Sequence, residues 1–134
     1  MIYSHDQWNR LLASTQEEIS RLSTLKGGEY AGDSDRLANF RRNGQALDLP
    51  METIWAVYAG KHWDAIQQYV KDLAAGKHRE RAEPISGRLD DLIVYCILMK
   101  AMVEERAVTT WPKPHFVPSP KITDHIMDLT GADE

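Results

Sequence analysis

The chain has 134 residues, 43% of them hydrophobic and 27% charged, with a net charge of −4. This is the balance of one soluble domain with a real core. The acidic balance argues against a general nucleic-acid binder, which needs a basic surface, and no apolar run approaches the roughly 20 residues of a membrane span. The single cysteine, Cys96, excludes an intrachain disulfide and fits a cytoplasmic setting.

The first helix is expected from about residue 4 to 26. Trp8, Leu12, Thr15, Ile19 and Leu22 recur at spacings of four and three and should form its inner stripe. Ser4 or Asp6 can cap its start, and Gly27-Gly28 should end it. Tyr3 to Arg10 is polar, so no signal peptide is expected there. A loop dense in turn residues follows, and a short second helix is expected over about 35–46, capped by Asp33 or Ser34. Leu37, Phe40 and Leu47 should point inward from it. Asp48-Leu-Pro50 restarts the chain.

The third helix is expected over about 51–75, stopped by Gly76, with Trp55, Tyr58, His62, Ala65, Ile66, Tyr69 and Leu73 as its inner stripe. Trp63 falls on the opposite side. A charged connector over 77–83 leads to a fourth helix, capped by Ser86 and running to about residue 106. Leu92 to Met99 contains neither a charge nor an amide, which predicts a helix buried on most sides. Cys96 inside that run reads as a buried small hydrophobe, because a reactive thiol needs exposure and nearby positive charge. From 107 onward Pro112, Pro114, Pro118 and Pro120 favour an extended arm, ending in a short amphipathic helix. The predicted architecture is all-α: an antiparallel four-helix bundle over 1–106, with a proline-rich arm and terminal helix over 107–134.

Three clusters could carry chemistry. Residues 26–40 place three glycines and several acids at the start of a helix, a setting that suits anions and Mg²⁺ but also an ordinary capped loop. Lys61-His-Trp-Asp64 sets a lysine beside an apolar stripe. Its ammonium can meet a phosphate or a buried carboxylate, or its stem can simply run out to water. His62, on that stripe, reads as a core histidine. Glu83-Pro-Ile-Ser-Gly-Arg-Leu-Asp-Asp-Leu-Ile-Val-Tyr95 puts Arg88, Asp90 and Asp91 at the mouth of the apolar helix. Acids there also answer the helix dipole. Asp91 and Tyr95 share one stripe. The five histidines lack zinc-ligand spacing, and phosphate-loop and dinucleotide signatures are absent.

The order Lys-x-x-Glu-Tyr-Ala…Asn-Phe (26–40), Trp-Ala-Val-Tyr-x-x-Lys-His-x-Asp (55–64) and Glu-Pro-Ile-x-Gly-Arg-x-Asp-Asp-Leu-Ile-x-Tyr (83–95) resembles a family of small phage and prophage proteins. More distantly it is similar to MazG-like all-α nucleotide pyrophosphohydrolases and to phage nucleotide-modification-associated domains. The resemblance implies a Mg²⁺-dependent nucleotide pyrophosphohydrolase or related nucleotide-processing protein in the host cytoplasm. It assigns Glu29, Asp64 and Asp91 to the metal, and Lys61 and Arg88 to phosphate. Glu29, Lys61 and Asp91 become the candidate catalytic residues. Lys26, Tyr30, Asn39 and Tyr95 become candidate nucleotide contacts, with Tyr30 or Tyr95 meeting base or sugar. The sequence departs from those enzymes in having no Glu-x-x-Glu in its central helices. Asp90 and Asp91 are adjacent, about 100° apart around the helix. A binding module without turnover, or a pure interaction protein, is the alternative. Trp63, Trp111 and the arm point to a homodimer.

Overall fold

A computed structural model describes residues 2–32 and 34–110. The chain divides into two compact units, Met1–Glu104 and Glu105–Glu134. The expected proline-rich arm and terminal helix, and the proposed cap Asp33, lie outside the described residues.

The fold is an all-α four-helix bundle, and no strand occurs among the described residues. Its helices are α1 (His5–Tyr30), α2 (Ala38–Leu47), α3 (Met51–Ala74) and α4 (Ile85–Thr110). None of them is long and apolar enough to cross a membrane. Ser4 opens α1 with a capping box, its hydroxyl accepting from the Gln7 N–H while the Gln7 side chain accepts from the Ser4 N–H.

Glycines 27 and 28 do not end α1, which runs on to Tyr30. Glycine in a helix costs only about 1 kcal/mol, which leaves the helix free to continue where tertiary contacts favour it. The contact here is Arg36. Its guanidinium lies on Gly27, where an added Cβ would sit 1.1 Å from Nη1, and it donates to the Ser23 carbonyl at 2.6 Å. The helix ends near Gly32, which has φ +73°.

The α2–α3 turn is tight. Asp48 occupies the left-handed region, and the Leu49 N–H donates to the Gly44 carbonyl at 2.9 Å. A Cβ at buried Gly44 would meet the Leu49 carbonyl oxygen at 2.7 Å. Gly44→Ala is therefore expected to cost about 1–3 kcal/mol, read by denaturant unfolding, because the obstacle is backbone that cannot swing aside.

Helix α3 ends at Gly76 as expected, with the Lys77 N–H reaching back to the Asp72 carbonyl. The buried Asp72 carboxylate then gathers the connector, accepting from Arg79 Nε at 2.8 Å and Arg81 Nη2 at 2.9 Å. The Arg79 hydrogen bond leads in holding this carboxyl down to about 2. Arg81 also lies over the Tyr69 ring. The residues that precede α4 are thereby tied to the end of α3.

The core is Leu37, Phe40, Ile54 and Met102, with Trp55, Tyr58, Tyr95 and Leu98 packed against it. The Trp55 indole N–H donates to the Tyr95 carbonyl at 2.6 Å and joins α3 to α4. Phe40 meets Tyr95 edge-on and Tyr58 at a tilt.

Several expected faces differ. Helix α1 has no buried residue, and Trp8, Leu11, Leu12 and Leu25 are exposed. Leu47 and Leu73 are also exposed. Helix α4 is not buried on most sides: Leu89, Ile93, Ile97 and Val103 face outward, and Cys96 is exposed. Hydrophobic periodicity tells which side of a helix is apolar. It does not tell whether another element covers that side. The caps differ too: Leu37 stands at the start of α2, Pro50 precedes α3, and Ser86 lies inside the first turn of α4.

Candidate functional site

The ends and flanks of the four helices enclose a cleft of about 710 Å³. Helix α1 brings Lys26, Glu29 and Tyr30 to it, because the helix continues past the two glycines. Helix α2 contributes Asn39, Arg42 and Asn43, and Arg36 comes from just before it. Residues 36, 39 and 43 share one helical face, while Leu37, Phe40 and Gly44 turn to the core. Helix α3 supplies Tyr58, Lys61 and His62; α4 supplies Arg88, Asp91 and Tyr95, with Glu83 at its approach.

Of the residues singled out from sequence, Lys26, Glu29, Tyr30, Asn39, Lys61, Arg88, Asp91 and Tyr95 all line this cleft. Asp64 and Asp90 do not, and Asp64 is exposed. Burial, Glu18 and Asp91 together push the Asp90 carboxyl up. Arg36, Arg42, Asn43, Tyr58 and Glu83 also line it; Tyr58 and Glu83 stand in the motifs without an assigned role, and Arg42 and Asn43 lie outside them. The signal for the α2 members lay in its amphipathic spacing: a polar face opposite Leu37 and Phe40.

At the centre stands Asp91, 8% exposed. Lys26 Nζ forms an ion pair with its Oδ1, and His62 Nδ1 lies 3.7 Å from its Oδ2. Arg88 Nη1 approaches the same imidazole nitrogen at 3.5 Å, while its Nε pairs with Glu83 at 3.2 Å. His62 is 5% exposed and packs against the Tyr95 ring at 5.4 Å. Burial pushes its pKa down; Lys61, Arg88 and Lys26 add to this, and Asp91 opposes it. Burial thus favours the neutral imidazole. Burial first, then Asp91, raises the Tyr95 phenol.

This shift has a consequence for stability. The unfolded chain gains a proton on His62 near pH 6.5, before the native state does. Its contribution is complete above that pH and declines as pH falls toward the lower native value. Melting temperature should therefore drop as pH falls through and below about 6.5, and His62→Gln should flatten that part of the profile.

Five cationic side chains (Lys26, Arg36, Arg42, Lys61 and Arg88) share the cleft with three acidic ones, Glu29, Glu83 and Asp91. The locality is positive on a chain of net charge −4. Lys26 and Arg88 are spoken for by Asp91 and Glu83, and Arg36 by Ser23. Three tyrosines add flat apolar surface with polar tips.

The donor set does not fit a resident Mg²⁺ held by Glu29, Asp64 and Asp91. Asp64 is off the cleft, and Asp91 is engaged by Lys26. Among the described residues no three acids, histidines or cysteines come together as metal ligands. Compared with family models, curated proteins and solved structures, the chain matches none.

Proposed function

We propose that the cleft binds a nucleotide or another phosphorylated small molecule. The observation that carries this reading is the gathering of five cations and three tyrosines in one cleft of an otherwise acidic chain. Phosphate oxygens would meet Lys61 and Arg88, and Arg42 where the ligand reaches α2. A base or sugar would lie against Tyr30, Tyr58 or Tyr95, and the Asn39 and Asn43 amides offer donors and acceptors to its edge. The distant similarity of the three motifs to MazG-like nucleotide pyrophosphohydrolases and phage nucleotide-modification-associated domains supports the same reading, including a cytoplasmic place in a host cell.

Binding without turnover is favoured over hydrolysis, because Asp64 lies off the cleft and Asp91 is engaged by Lys26. Magnesium would then enter only as the counter-ion of a nucleotide's own phosphates. We also propose a homodimer, supported by Leu89 and Ile93, which are exposed one turn apart on α4.

The test is a thermal-shift screen of the common ribo- and deoxyribonucleoside triphosphates, with and without Mg²⁺, with pyrophosphate release followed in parallel. A ligand that binds the folded state raises the melting temperature by mass action. Stabilisation without product supports a binding module. Pyrophosphate release would restore the hydrolase reading, and no stabilisation by any nucleotide would remove the nucleotide reading.

A further inference from the structure

We infer that Glu83 is a built-in competitor for the ligand's phosphate at Arg88, so that the cleft of the ligand-free protein is partly self-occupied. This rests on the phosphate-binding reading above and adds a residue that sets affinity.

The geometry is specific. Arg88 Nε is paired with Glu83 Oε2 at 3.2 Å, and both residues line the cleft. The two partners differ in exposure. Arg88 sits in the first turn of α4 with its side chain 23% exposed and its Nη1 3.5 Å from His62 Nδ1 on the other side. Glu83 stands outside the helix, on the connector, with its side chain 53% exposed. An exposed ion pair of this kind is weak and is screened by salt. A phosphate carries more charge and more acceptor oxygens than one carboxylate, and displaces it from a guanidinium. Glu83 can turn to water without breaking any other hydrogen bond or ion pair among the described residues. Asp91 behaves differently: it is buried and held by Lys26, so it stays.

The connector explains why Glu83 is available at this spot. Asp72 holds Arg79 and Arg81, a few residues upstream, and Pro84 follows at the entry to α4. The backbone carrying Glu83 is therefore tied at both sides, with the Arg88 N–H donating to the Pro84 carbonyl, while its side chain stays open to water. The side chains of Lys61 and Arg42 make no ion pair or hydrogen bond among the described residues, so they can engage a phosphate first. Arg88 joins once Glu83 leaves.

The experiment titrates wild type, Glu83→Gln, Arg88→Gln and the double variant with the common nucleoside triphosphates at low and high salt. Removing an exposed competing carboxylate is expected to tighten Kd by about two- to fivefold. That gain should shrink at high salt and vanish in the Arg88→Gln background. Unchanged or weaker binding in Glu83→Gln would make Glu83 a support for Arg88 and overturn the competitor role. A gain that persists in full without Arg88 would overturn it too, leaving only general repulsion. If no nucleotide binds any of the proteins, it is the phosphate-binding reading itself that falls.

Discussion

Lys61→Gln is expected to weaken nucleotide binding about 10- to 100-fold, the value of one charged hydrogen bond to phosphate at about 1.5–3 kcal/mol. Its melting temperature should hardly move. Lys61 is exposed, and its side chain makes no hydrogen bond or ion pair among the described residues, so the fold loses nothing when its charge goes. That separation matters because other cations of the cleft also hold the structure. Lys26 pairs with buried Asp91, and Arg36 lies across Gly27 and binds the α1 backbone. Changing either one would mix binding with stability. Calorimetric titration of Lys61→Gln beside its thermal melt tests the reading cleanly. Full retention of affinity with an intact fold would take Lys61 out of the site.

Phe40→Ala is expected to be the most damaging single change for stability, at about 3–5 kcal/mol by urea unfolding. Phe40 is 2% exposed and is one of the four core residues. Its ring also braces the cleft, touching Tyr58 at 6.0 Å and Tyr95 at 6.4 Å between centroids. Total stabilities of small domains are about 5–15 kcal/mol, so this loss takes a large share. The tyrosines should lose their fixed packing as well, visible as a reduced near-ultraviolet circular dichroism signal in the variant that remains folded. A loss below about 1 kcal/mol would mean that the core closes without Phe40.

Much of the fold was legible in the sequence. Ser4 announces the start of α1, Gly76 announces the end of α3, and the spacing of Leu37 and Phe40 gives the inner side of α2. These signals are local: a cap or a turn residue acts within a few positions of itself. The end of α1 was not legible, because Gly27 belongs to a contact with Arg36 and not to a turn. The exposed faces of α1 and α4 were not legible either. Coverage of an apolar stripe depends on elements far away in sequence.

The candidate site divides in the same way. Residue types in the three motifs marked the chemistry, since lysine, arginine and tyrosine beside apolar helices suit a phosphate and a base wherever they meet. Sequence alone thus determined four helices, their inner residues in part, and a set of polar side chains worth watching. Only the tertiary structure decided which of them share a cleft. It set Lys26 on Asp91 across 65 positions of chain, turned Asp64 away, and brought in Arg36, Arg42 and Glu83. The reason is physical. A side chain's chemistry is carried by its own atoms, but convergence depends on how long helices pack, and α1 and α4 meet at this cleft only after the whole chain has folded back on itself.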